Sequence, residues 1–297
     1  MKYYVVYNPH AGNGRGKEEA EKLRDIMKGD ELVFSDITKI DDYKTFLRGI
    51  GNNEAVIIAG GDGTLNRFVN DIGDTELDKD IYYFAVGSGN DFLHDIGGSK
   101  YDKPIQINKY LKDLPTVNVN GREYRFINGI GYGIDGYCCE VGDRMRAESK
   151  KKINYTSIAI TGLLFHYHPT NATIIVDGKE HKYKKVWLAP TMNGRFYGGG
   201  MMPSPNQDRL SEHGEISVMV MHGSGKLKTL MIFPSIFSGK HIEHKDAVEV
   251  ISGSEINVKF DRPTALQIDV ETIKNVTEYS AFSRKRAGKE LPEFERI

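Results

Sequence analysis

The chain has 297 residues, 39% hydrophobic and 27% charged, with a formal net charge of −1. That length accommodates two domains and a sizeable core, and the charge balance leaves no global electrostatic footprint for nucleic acid, so no nucleic-acid partner is expected. The two cysteines, Cys138 and Cys139, are adjacent, a poor arrangement for a mutual disulfide that points to a reducing cytoplasm; no secretory signal precedes the strand at Lys2, and the longest apolar stretch beside a helical pattern, 158–165, is too short for a transmembrane segment.

In chain order, an apolar strand at Lys2–Tyr7 leads into Asn8-Pro9-His10-Ala11-Gly12-Asn13-Gly14-Arg15-Gly16, and a helix is predicted over about 17–27. A short strand at 31–34 and a helical segment near 41–48 follow. The buried run Ala55-Val56-Ile57-Ile58-Ala59 then meets Gly60-Gly61-Asp62-Gly63-Thr64, with a helical pattern from Leu65 to Ile72. A further strand at 81–86 leads into Gly87-Ser88-Gly89-Asn90-Asp91. Alternation of this kind predicts a doubly wound, mostly parallel α/β domain over residues 1–115.

From about Thr116 the pattern changes. Val117 and Val119 alternate with Asn118 and Asn120, Asn120-Gly121 marks a tight hairpin, and Asp177-Gly178 marks a second. Apolar strands are predicted at 172–176, 216–221, 247–251, 255–260 and 265–270, with helical segments near 153–167 and 226–237. Residues 116–280 therefore read as an antiparallel, β-sandwich-like domain, with the tail 281–297 packing back on the first domain.

The three glycine turns share one context: each follows a strand, along one edge of the parallel sheet, where ligands bind at the strands' carboxyl ends. Glycines let backbone N–H groups approach a phosphate, and a helix N-terminus adds partial positive charge. Asp62 stands among these donors as a natural partner for Mg²⁺, which takes a carboxylate or two plus phosphate oxygens. No Gly-Lys-Ser/Thr follows any turn, which excludes the Walker A pattern, and Gly12-Asn13-Gly14-Arg15-Gly16 has its third glycine one residue early for a dinucleotide fingerprint.

These motifs resemble those of the diacylglycerol kinase catalytic-domain family, which includes bacterial lipid kinases and sphingosine kinases. Asn8-Pro9-His10-Ala11-Gly12 is similar to the family's opening, 60–64 with Leu65-Asn66 to its glycine-glycine-aspartate motif, and Gly87-Ser88-Gly89-Asn90-Asp91-Phe92 to its third motif. Asn128-Gly129-Ile130-Gly131-Tyr132-Gly133-Ile134-Asp135 and Asn193-Gly194-Arg195-Phe196-Tyr197-Gly198-Gly199-Gly200-Met201 match in type and order. The resemblance implies an active site between the two domains, ATP and Mg²⁺ as cofactors, and a lipid hydroxyl as acceptor at a membrane surface, most simply diacylglycerol. It implies a cytoplasmic protein, peripheral at the membrane, with a homodimer left open. Nucleotide contacts carry over onto Gly60, Gly61, Asp62, Gly63, Thr64, Leu65, Asn66 and Ser88. Asn8, Gly12, Gly89, Asn90 and Asp91 join them from the flanking turns. One further polar contact falls on Thr38, with Ser35 as the alternative.

Three positions depart from the family pattern. Arg67 follows the Asn of the central motif where Glu is common. Val270 stands in place of Gly in the acidic motif Asp269-Val270-Glu271. In Leu210-Ser211-Glu212-His213-Gly214, His213 replaces a hard carboxylate ligand, so no tightly held structural Mg²⁺ is expected at 210–215.

Asp269 and Glu271 are the expected catalytic pair, because a hydroxyl acceptor needs a carboxylate to take its proton; their i, i+2 spacing predicts one face of an extended strand. Asn90 and Asp91 also suit a helix N-cap. Arg144, Arg146, Lys150, Lys151 and Lys152 form a basic run that reads as a solvated helix face, or as a dock for anionic headgroups. His10 and His94 read as loop residues. Two other functions compete: a kinase of a soluble acceptor such as NAD, and a non-catalytic nucleotide-binding regulator.

Overall fold

The computed structural model describes residues 1–75, 77–87, 89–148, 158 and 161–283. The tail 284–297, Ser88, Lys150, Lys151, Lys152 and most of the 153–160 stretch lie outside the described residues. The first layer is a sheet in the order β2-β1-β3-β4-β5, built from β1 (Lys2–Tyr7), β2 (Glu31–Asp36), β3 (Glu54–Gly60), β4 (Ile81–Ala85) and β5 (Ile105–Gln106). All pairings are parallel except β4 with β5. Both faces are covered, which explains why the β3 sequence is an uninterrupted apolar run. On one face Val6, Val56, Ile58, Leu65, Phe68 and Val69 pack together; on the other Val5, Ile57, Ala59, Leu23 and Phe84 do so.

The helix after β3 spans Asp62–Ile72, with Gly61 at its N-cap. It begins three residues before the apolar periodicity does, so the glycine motif forms its first turn rather than a loop before it. The predicted helix over 17–27 is broken instead into Gly16–Glu21 and Leu23–Ile26.

The second layer is an antiparallel sheet. Its main path runs β13-β12-β11-β8-β14-β15-β6-β7, and β9 joins it through β14 and carries β10. The strands are β6 (Thr116–Val119), β7 (Arg122–Arg125), β8 (Gly129–Tyr132), β9 (Thr170–Val176), β10 (Lys179–Val186), β11 (Thr191–Met192), β12 (Ile216–Met221), β13 (Val248–Gly253), β14 (Glu255–Ile268) and β15 (Glu271–Phe282). Both predicted hairpins form: Asn120 and Asp177 take positive φ (51° and 47°), each followed by a positive-φ glycine, the backbone that a two-residue turn demands. Two predicted strands, 255–260 and 265–270, are one continuous β14. Its pairing with β15 shifts register between Lys259 and Leu266; Pro263, which cannot donate to a ladder, sits inside that irregularity.

The two layers are joined by an ion network centred on the buried Asp95. Asp95, at the end of the helix Asp91–Asp95, accepts from Arg195 Nε (2.8 Å), the Arg195 N–H (3.2 Å) and Arg209 Nε. Arg209 also donates to the Ile127 carbonyl (3.1 Å) and to Asn128 Oδ1 (3.2 Å). Only 5% of the Arg209 side chain and 4% of the Asp95 side chain are exposed, so the pair must be satisfied internally. Removing one member of such a pair strands a buried charge. Arg209→Ala should therefore lower the unfolding free energy by about 3–5 kcal/mol, read from urea denaturation; a loss under about 1 kcal/mol, the scale of an exposed pair, would contradict this joint.

Candidate active site

A cleft of about 680 Å³ opens between the layers, within the usual range for a small-molecule site. Its first wall is made by the three glycine turns. Asn8 Nδ2 donates to Thr64 Oγ1 (2.9 Å) and Asn8 Oδ1 accepts from the His10 N–H (2.9 Å), which fastens the turn after β1 to the helix after β3. The turns after β3 and β4 touch backbone to backbone. A Cβ on Gly87 would lie 2.8 Å from Gly61 Cα, and one on Gly60 only 2.3 Å from Thr64 Cβ. Both positions accept glycine alone, for want of space.

Asp62 projects from the first turn of its helix and accepts from the Asp91 N–H (2.9 Å) and the Phe92 N–H (3.1 Å). It thereby caps the helix Asp91–Asp95; the residue at the cap position, Asn90, makes no capping bond. Asp91 accepts from the N–H groups of Gly199 (2.8 Å) and Gly200 (2.7 Å), so the third glycine turn of the α/β layer holds the glycine loop of the β layer.

Asp269 accepts four hydrogen bonds: from the N–H groups of Ile127 (2.7 Å), Asn128 (2.8 Å) and Gly129 (3.0 Å), and from Asn66 Nδ2 (2.6 Å). Its expected place on a strand face with Glu271 is not what forms. Ile268 pairs with Glu271, which makes Asp269-Val270 the two-residue turn between β14 and β15, with Asp269 at φ 49°. A turn reverses the chain, so i, i+2 spacing no longer means a shared face. Asp269 and Val270 line the cleft; Glu271 is exposed outside it. Val270 leans on the glycine motif, its Cγ2 3.0 Å from where a Gly63 Cβ would sit.

The residues singled out in the sequence thus separate. Asn8, Gly12, Gly61, Asp62, Gly63, Thr64, Gly89, Asp91 and Asp269 line the cleft. Leu65 is fully buried in the α/β core, and Asn66 is buried against Asp269. Thr38 is exposed beyond β2, its N–H and hydroxyl both donating to Asp36 Oδ1. Ser88 lies outside the described residues.

The far wall is apolar: Ile134, Cys138, Leu188, Met201, Phe233 and Phe237. At its base Asp135 accepts from the Tyr197 hydroxyl (2.8 Å) and the Gly136 N–H (2.9 Å). Asp135 and Tyr197 belong to the two downstream motifs but carry no chemistry legible from spacing. Phe233 and Phe237 come from a segment with no motif at all.

Electrostatically the cleft is one-sided. Asp62, Asp91, Asp135 and Asp269 line it, and no lysine or arginine does among the described residues. Burial, then the neighbouring Asp91, pushes the Asp62 carboxyl up to about 7. Burial raises Asp135 to about 6. Burial also raises Asp91, against the pull of the Gly199 and Gly200 N–H groups, and raises Asp269 against its four hydrogen bonds. Anions crowded in this way without a counter-charge fit a divalent cation. Among the described residues no three acidic, histidine or cysteine side chains are disposed to ligate a metal by themselves. An ion here would need outside oxygens, which suits Mg²⁺ arriving with phosphates.

Such an arrangement defines a phosphotransferase-type cleft on a two-layer α/β and antiparallel β fold. Residues 2–117 match the diacylglycerol kinase catalytic domain, and residues 128–282, more than half of the chain, match the YegS C-terminal NAD kinase beta sandwich-like domain. The chain belongs to the diacylglycerol kinase catalytic-domain family. It is similar to the diacylglycerol kinase of Mycobacterium tuberculosis, at 26% identity over 213 residues, 69% of this chain and 67% of that protein. A Bacillus subtilis protein assigned as a lipid kinase is 23% identical over 287 residues, 86% of this chain and 88% of its own. The structure of a Bacillus anthracis protein assigned as a diacylglycerol kinase shares the fold, with a TM-score of 0.63 at 19% identity, covering 96% of this chain and 93% of that one.

The raised Asp62 carboxyl has a measurable consequence. Folded, it keeps its proton up to about 7; unfolded, it releases it near 3.8. Between those values the folded state binds more protons, so stability falls as pH rises. The melting temperature of the ligand-free protein should drop from about pH 5 to about pH 8, and Asp62→Asn should flatten part of that drop. An identical slope in the variant, by scanning calorimetry, would contradict the assignment.

Proposed function

We propose that the protein is an ATP-dependent lipid kinase that transfers the γ-phosphoryl group of ATP to a lipid hydroxyl, with diacylglycerol or a related lipid as acceptor. One observation carries this reading: a single cleft has glycine turns with Asp62 and Asp91 along one wall and a largely apolar wall facing them. The glycine turns suit phosphates, through N–H groups that need no side-chain cation. The apolar wall favours an acyl chain over a polar acceptor such as NAD, since an apolar pocket offers a dinucleotide no hydrogen bonds.

In this reading Gly12, Gly61, Gly63 and Gly89 bring backbone donors to the phosphates, and Asn8 keeps the first turn against Thr64. Asp62 would hold Mg²⁺, directly or through water, where the ion would neutralise charge on the phosphates. Its carboxylate has lone pairs left after two hydrogen bonds. Phosphoryl transfer needs positioning and charge neutralisation more than covalent help, and a rigid wall of turns supplies positioning.

Asp269 is the carboxylate proposed to face the acceptor hydroxyl, between the glycine motif and the apolar wall. Burial raises its proton affinity, the direction that a base requires, while its four hydrogen bonds keep it in place. Proton acceptance at Oδ2 would draw on the position now given to Asn66. Glu271, exposed outside the cleft, is proposed to have no part in proton transfer. The protein would work in the cytoplasm, meeting its acceptor at a membrane surface; no helix of the described residues is long and apolar enough to cross a membrane.

The test is phosphoryl transfer from ATP to detergent-dispersed diacylglycerol, with NAD as the competing acceptor. Product from the lipid and none from NAD is expected; the reverse would overturn the reading. On the accepted lipid, Asp269→Asn should lower turnover by about 10²–10⁴-fold, the scale of a general base, with ATP affinity retained. Glu271→Gln should stay near wild type. Equal losses in both variants, with folding verified, would remove the distinction between them.

A further inference from the structure

One surface of the protein reverses the usual polarity of a helix. The helix Lys226–Ile232 runs on as a 3-10 helix, Phe233–Ser238. Its inner face is satisfied: Thr229, Ile232, Phe233 and Ile236 are buried, and Ile232, Phe233 and Ile236 pack into the core cluster that contains Trp187 and Leu188. A surface helix should then present charge outward. Here Leu227 and Met231, four residues apart on one face, are each 75% exposed, and Phe237 is 43% exposed. Phe165, 69% exposed, lies on the turn Gly162–His166 that packs against this helix. Scattered exposed apolar side chains are ordinary, but a contiguous stripe of large ones marks an interaction surface.

Two features select the occupant. The first is continuity: Phe233 and Phe237, in the same helical run, line the cleft, and Phe237 is also partly exposed on the outside. Whatever covers the stripe therefore adjoins the acceptor pocket. The second is charge. Between residues 226 and 246 four lysines, Lys226, Lys228, Lys240 and Lys245, stand against two acids, Glu243 and Asp246, and Lys228 pairs with Asp246. An apolar face flanked in sequence by lysines, on a helix too short to span a bilayer, has the composition of a segment that lies in the headgroup region of an anionic membrane.

We propose that the outer face of the 226–238 helical run is a docking surface for an anionic lipid bilayer, which brings the apolar wall of the cleft next to the membrane. The inference deepens the lipid-acceptor reading and rests on it for its biological use, but the binding is measurable without catalysis.

The experiment is flotation of the full chain with vesicles of phosphatidylglycerol and phosphatidylcholine in equal parts, and with vesicles of phosphatidylcholine alone. The wild type should float with the anionic vesicles, and Leu227→Ser with Met231→Ser should weaken that binding at least about tenfold, because both side chains lose their burial in lipid. Phosphorylation of short-chain diacylglycerol dispersed in detergent should be unchanged in this double variant, since neither residue lines the cleft. Equal flotation of wild type and variant, or none by either, would overturn the proposal. So would a wild type that is dimeric in sedimentation and a variant that is monomeric, which would make the stripe an interface between two copies. The two readings fail separately: stripe-dependent flotation without lipid phosphorylation defeats the kinase reading alone, and lipid phosphorylation without stripe-dependent flotation defeats the docking surface alone.

Discussion

The Asp269 carboxylate is where the two layers become one site. It sits in a two-residue turn at positive φ, buried at the edge of the cleft, and takes three consecutive backbone N–H groups at Ile127, Asn128 and Gly129 together with the Asn66 amide. Hydrogen bonds to a charged group contribute about 1.5–3 kcal/mol each, so the set can hold the anion against its desolvation. In doing so it fixes three elements: the helix that starts with the glycine motif, the segment entering β8, and the β14–β15 hairpin. Asn66 and Asp62 lie on that same helix. The residue proposed to face the acceptor therefore also helps to set the position of the glycine motif relative to the β layer.

A second constraint is the charge that this architecture leaves behind. Asp62 caps one helix, Asp91 secures the Gly199-Gly200 loop, and Asp135 anchors Tyr197. Each carboxylate has a structural partner, yet all of them border one cleft with no lysine or arginine among its described lining residues. Polyanionic phosphates would be repelled from such a wall in the absence of a cation. On the proposed reading, a divalent ion arriving with the phosphates would offset that repulsion.

Much of this was legible in the sequence. The strand–glycine turn–helix units predicted the parallel layer, and Asn120-Gly121 and Asp177-Gly178 predicted the hairpins, because those turns demand positive φ that few residues tolerate. Other features were not. Asp269 and Glu271 read as one strand face because spacing alone cannot show a chain reversal when neither turn residue is glycine. Leu65 and Asn66 read as part of a ligand motif; their side chains point into the core and toward Asp269, a direction set by the helix starting at Asp62. The Asp95–Arg209 joint spans 114 residues of sequence and leaves no local pattern. The apolar wall is assembled from four separate segments, and no local pattern shows that Ile134, Leu188, Met201 and Phe233 meet.

The central claim is that the glycine turns form a phosphate site whose acidic wall requires a cation. Calorimetric titration of the wild-type protein with ATP, once with Mg²⁺ and once with a chelator, tests it most directly. The account predicts binding at least about tenfold tighter with the ion, since carboxylates and phosphates facing each other must share it. Equal affinity with the chelator would contradict the claim, and would mean that the acids at this cleft serve the fold alone.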